Sequence, residues 1–176
     1  MKIMKNTMRM MTKMSDDTIY IHYGSPEFNI NKFCPISNIK LSNKPHGGLW
    51  ASPANSEHDW RWWCLSNGYE TARLNEHFSF KLKDDANICK IASKQDLNEL
   101  NQQGFCHDYT NLFLYPQGYT NSSLYPQDYY YPDFEKLVDA GFDGMAVAMN
   151  DSLYFALYGW DCDSLLIFDP NCMIFE

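Results

Sequence analysis

The stretch GFDGMAVAMNDSLYFALYGWDCDSLLIFDP, residues 141–170, decides how this chain is read. It predicts strands at about 145–149, 153–157 and 164–168, short apolar runs rich in β-forming residues between Gly, Asn and Pro punctuation. The last strand is entered through Trp160-Asp161-Cys162-Asp163. Two carboxylates at the mouth of a buried strand add little to stability and suggest a ligand-facing group. Asp163 is the first candidate and Asp161 the alternative, with the N-terminal third supplying the rest of the pocket.

Working outward, Asp133 after Pro132 caps a helix that Gly141 ends. The segment 104–132 is rich in Tyr, Pro, Gln and Asn, and LYPQGY (114–119) is echoed by LYPQDY (124–129). Two copies are too few for a solenoid. It reads as an insertion whose tyrosines either contact a macromolecular substrate or cover a sheet edge. Ser93 begins Ser-Lys-Gln-Asp, a capping-box-like start to a helix with Leu97 and Leu100 on its apolar side. The runs 76–82 and 87–92 alternate as strands do.

Further back, Lys44-Pro45-His46-Gly47-Gly48-Leu49-Trp50-Ala51-Ser52-Pro53 leads through paired glycines into an extended segment bearing Trp50. Asn55 or Ser56 then caps a helix to about Leu65, on which Trp60 and Trp63 share a face. Near the start, 18–26 is a short β run cut off by Gly24-Ser25-Pro26. Alternation puts His22 and Tyr23 on opposite faces, so only one of them is expected in any given pocket. Residues 1–17 hold six of the nine methionines among basic residues and read as a flexible leader, or as a short amphipathic helix. The chain 18–176 then forms one domain, a size that can bury a sizeable core.

Composition narrows the function classes. With 45% hydrophobic and 16% aromatic residues the chain folds rather than staying disordered. Net charge is −8, and four of the 14 basic residues lie in the first fifteen positions, so the remainder is acidic and non-specific nucleic-acid binding is disfavoured. The six cysteines are scattered without paired Cys/His ligand spacing, which argues against zinc and against a disulfide framework. Cys106-His107 are adjacent, and an adjacent pair seldom makes the hydrogen bond that a thiol nucleophile needs. No transmembrane run and no secretory h-region is visible, so a cytoplasmic location with reduced thiols is expected. Neither G-x-G-x-x-G nor a P-loop occurs. Strands, a helix, an insertion, a helix and further strands indicate an α+β fold with a split or sandwiched mixed sheet.

Three pieces in this order resemble the ADP-ribosyltransferase superfamily, especially its small bacterial and phage-borne members. They are a strand ending in Gly24-Ser25, a glycine-led strand with an aromatic and a hydroxyl residue followed by a helix (47–63), and the ending GFDGMAV…DSLLIFDPNCM, similar to G-x-D-G-I…E-x-V-V-F-D-P-x-x-I. The resemblance implies NAD as ADP-ribose donor, release of nicotinamide, and a macromolecular acceptor, a protein rather than a nucleic acid, in the manner of a toxin or phage effector. It implies that the backbone of Gly24 meets the nicotinamide amide, that Ser25 closes the turn, that Trp50 and Ser52 fill the second motif, and that Trp60 or Trp63 stacks. His22, Tyr23 or His46 would grip the adenosine-side ribose, since the position before Gly-Ser holds Tyr23 where the family has His or Arg. Asp163 stands nearest the family's catalytic glutamate, and the Asp-for-Glu change shortens the side chain by one methylene. Two alternatives stand beside transfer to an acceptor: an NAD glycohydrolase, and a degenerate fold acting as a protein-binding module.

Overall fold

Strand β1 (Tyr20–Tyr23) is too short to bury itself and is held between two neighbours, β2 (Leu49–Pro53) and β3 (His77–Leu82). The computed structural model describes residues 17–40, 42–108, 130–154 and 156–175. Between β2 and β3 lies helix α1 (Trp60–Asn67), capped by Asp59, whose side chain accepts from the N–H of Trp62. The cap therefore falls later than the expected Asn55 or Ser56. Residues 54–58 form turns instead, with the Ser56 N–H donating to Pro53 O at 3.2 Å, and Ser52 Oγ accepts the Trp60 N–H at 3.0 Å where the helix begins.

Strand β4 (Ile88–Ile91) is followed by α2 (Lys94–Gln102), capped by Ser93 as its sequence predicts. Strands β5 (Cys106–Asp108) and β6 (Tyr130–Pro132) pair antiparallel at the two ends of the expected insertion 104–132, most of which lies outside the described residues, as does nearly all of 1–17. Helix α3 (Phe134–Asp139), capped by Asp133, leads to β7 (Gly144–Val147), β8 (Ser164–Ile167) and β9 (Met173–Ile174). The expected strand at 153–157 is not one. Leu153 and Leu157 are both fully buried, and the Leu157 N–H donates to Leu153 O at 2.8 Å, so one helical turn points both leucines inward.

Seven strands form one sheet in the order β4-β7-β8-β2-β1-β3-β9, with β4 and β7 parallel and every other pair antiparallel. The fold is thus mixed α+β, a curled sheet with few helices. Core lies on both faces, because Leu166 packs with α2, α3 and Trp160 while Leu165 and Ile167 pack with Tyr20, Phe80 and Met173. That double burial explains the unbroken apolar run in β8.

The sheet has one weak seam. The β1–β2 ladder holds only the pairs Tyr20↔Pro53 and Ile21↔Ser52, yet β1 continues along β3 to Tyr23↔His77, and β2 along β8 to Leu49↔Ile167. Two central strands therefore part after two residues. The entry to β2 is fixed by Gly47 and Gly48, both at positive φ, and a Cβ on Gly47 would lie 2.2 Å from Pro35 O.

Candidate functional site

The fork between β1 and β2 opens a cleft of about 270 Å³, bordered by Ile21, His22 and Tyr23 on one side and by Trp50, Ala51 and Ser52 on the other. Where the ladder stops, the His22 ring takes over. A backbone carbonyl can only accept, so the 2.7 Å contact of His22 Nδ1 with Trp50 O places the ring proton on Nδ1 and leaves Nε2 as an acceptor. Burial lowers the His22 pKa, the bond to Trp50 opposes this, and the Arg73 charge lowers it again, so the ring is held neutral. Both His22 and Tyr23 border the cleft, which corrects the expectation of one or the other. The cleft reaches both because β1 has parted from β2 here, although its ladder to β3 runs on to Tyr23, and Gly24 then turns the chain at φ 100.

The cleft has two further walls. From α1 and the following turn come Trp60, Glu70, Arg73 and Leu74; from the segment entering β8 come Trp160, Asp161, Cys162 and Ser164. Trp60 is backed by Trp63, with ring centroids 5.1 Å apart and planes 12° from parallel, so Trp63 stiffens the wall without bordering the cleft. Trp50 meets Trp160 edge-on at 4.7 Å, and Trp160 Nε1 donates to Asn43 O at 2.8 Å. Ser52, buried on β2, is spent on the Trp60 N–H.

The carboxylate expectation moves two residues, from Asp163 to its alternative Asp161. Cys162 and Ser164 border the cleft, and Asp163 between them does not. In the bend before β8 its side chain turns to the neighbouring loops, where Asp163 Oδ2 accepts from Ser56 Oγ at 2.6 Å and Oδ1 from the Met149 N–H at 2.8 Å. It ties loops together. Asp161 is the acidic side chain in the cleft on this wall, 3.6 Å from Lys44 Nζ, and Glu70 is a second acid at the opposite rim, 2.9 Å from Arg73 Nη1. Cys162 is buried. Burial, against the hydrogen bonds of Ser164 and Ser52, pushes its thiol up to about 11.

Other expected residues lie outside the cleft lining. The Gly24 N–H is committed to Glu76 O at 2.7 Å, and its Cα packs on the Arg73 guanidinium, where a Cβ would stand 3.1 Å from Nη2. Ser25 Oγ donates to Glu27 O, and His46 is exposed with its backbone bridged to Ser37. The adjacent Cys106 and His107 do not make an activated pair, since burial pushes the Cys106 thiol up to about 12 and His107 Nε2 lies 3.2 Å from Asp133. Lys44, Glu70, Arg73 and Trp160 were given no role by sequence reasoning. Trp160 was signalled by its place beside the acidic pair, whereas nothing in the local pattern marks Glu70 or Arg73.

All six cysteines are free, and among the described residues no group of three or more His, Cys, Asp or Glu is placed to hold a metal ion. Among the same residues no helix is long and apolar enough to cross a membrane. No family model matches the chain, and no curated protein or solved structure is significantly similar to it.

Proposed function

We propose that the cleft takes the nicotinamide half of NAD and that the protein is an ADP-ribosyltransferase-like enzyme in which Asp161, not Asp163, is the working carboxylate. The observation that carries this reading is the convergence of Trp50, Trp60, a neutral His22 and Asp161 on one fork in the sheet. Indole faces favour a flat cation such as the pyridinium ring, and an acid beside it stabilises positive charge that appears on the sugar. At about 270 Å³ the enclosed space is small for a ligand pocket, so it suits the nicotinamide nucleoside, with the diphosphate toward the rim cation Arg73.

In the reaction the C1′–N bond breaks and its electron pair passes to the pyridinium nitrogen, which leaves as neutral nicotinamide. A nucleophile on the acceptor bonds to C1′ and gives up its proton to solvent. Asp161 holds the oxocarbenium-like ribose between these events, and His22 Nε2 accepts from a ribose hydroxyl. A protein acceptor is favoured over nucleic acid by the acidic chain.

A second reading is binding without turnover, favoured by the Cys162 and Ser164 side chains that border the cleft where the family resemblance implies an acid. One experiment separates them. Incubated with labelled NAD and a lysate, the protein is expected to release nicotinamide and label macromolecules. Asp161→Asn should lower release about 10²–10³-fold, and Asp163→Asn should leave it within a few-fold. Release without labelled macromolecule identifies a glycohydrolase, binding without release identifies the module, and loss only in Asp163→Asn sinks the assignment of Asp161.

A further inference from the structure

The cation site of the cleft is already filled, by the protein itself. Lys44 Nζ lies over the Trp50 ring, 5.4 Å from its centroid, and 3.6 Å from Asp161 Oδ2. An aromatic face with a carboxylate beside it is the arrangement that a pyridinium ring would need. We infer that Lys44 is a displaceable internal occupant, and that a ligand cation enters by exchanging with its ammonium. This rests on the nicotinamide reading of the same cleft.

The placement of Lys44 is built, not incidental. Its neighbour Asn43 is clamped on both sides, the carbonyl accepting from Trp160 Nε1 at 2.8 Å and Nδ2 donating to Tyr158 O. Trp160 also packs edge-on against Trp50, so one indole fixes both the backbone that delivers Lys44 and the ring that receives it. Pro45, buried, follows, and the Lys44 N–H donates to Ser42 Oγ at 3.1 Å. Gly159 stands beside the stem, where a Cβ would lie at an ordinary packing distance, 3.6 Å, from Lys44 Cε. The backbone around Lys44 is thus held, while its side chain is 40% exposed.

The contacts to be broken are an exposed ion pair and an exposed cation–π contact, each weak. Exchange is therefore cheap enough to occur and costly enough to measure. The free Asp161 then turns to the incoming cation, so an empty cleft is kept neutral and a filled one keeps the same charge pairing.

The test uses 1-methylnicotinamide, a pyridinium cation without phosphate, and neutral nicotinamide, titrated by calorimetry into wild type, Lys44→Met and Lys44→Arg. The expected result is that Lys44→Met binds the cation about three- to tenfold more tightly, that Lys44→Arg stays near wild type, and that neutral nicotinamide distinguishes none of them. Equal or weaker binding of the cation by Lys44→Met overturns the inference, because Lys44 is then a bystander or a contact for the ligand. A cation that binds neither wild type nor Lys44→Met, with thermal unfolding unchanged, overturns the nicotinamide reading and this inference with it.

Discussion

Two of the cleft's walls are built differently, the one that carries Trp160 and the one that follows α1. On the sheet side, Trp160 is 1% exposed, stacks on Phe134, bonds Asn43 and buttresses Trp50, so recognition there rests on the main core. On the helix side only Cys64 and Leu74 are buried, Trp62 and Leu65 face outward, and the Glu70–Arg73 pair stands in solvent. A core-anchored wall can hold a ring in a fixed place, while a rim hung on two buried residues can yield to different ligand ends. The contrast assigns geometry to the first wall and adjustment to the second.

The largest expected effect comes from breaking the anchored wall. Trp160→Ala should cost about 3–5 kcal/mol of stability in urea or thermal unfolding and remove ligand binding with it. A loss under ~1 kcal/mol would mean that the wall is not part of the core. Next comes Asp163→Ala, which leaves the Met149 N–H without its acceptor and should cost about 2 kcal/mol. Asp161→Ala, breaking a partly exposed pair, should cost less than ~1 kcal/mol. If the order of the two were reversed, the placing of Asp163 against the loops and Asp161 at the cleft would be wrong.

His22 stands at the seam between the walls and gives the contrast a pH signature. Its folded pKa lies below the unfolded value of 6.5, so as pH falls through this window the unfolded chain takes up a proton first and stability declines. Above 6.5 the ring is neutral in both states and contributes no slope. His22→Gln, which can still donate to Trp50 O, should flatten the unfolding free energy over that interval, and an unchanged slope would show that the ring is not held neutral. The smallest effect belongs to the rim. Glu70, the one non-glycine at positive φ among the described residues (φ 42), should accept Gly with a gain below ~1 kcal/mol, read from the unfolding midpoint.

How much of this was legible depended on whether a local pattern carried it. The Ser93 and Asp133 caps and the apolar run of β8 were readable because cap chemistry and double burial are written in adjacent residues. The 153–157 turn was misread because leucines four apart suit a helical turn as well as a β run. The choice between Asp163 and Asp161 turns on the bend before β8, where strand alternation no longer says which way a side chain faces. Glu70 and Arg73 reach the cleft through the turn after α1, and the meeting of Arg73 with Gly24 is a fact of the fold alone.

The most direct test is a titration of NAD followed by tryptophan fluorescence. Saturable quenching is expected for wild type and for Asp163→Asn, weakened at least tenfold in Asp161→Asn and abolished in Trp50→Leu with the fold intact by circular dichroism. Quenching that survives both Asp161→Asn and Trp50→Leu, or no saturable change in wild type, would contradict the account.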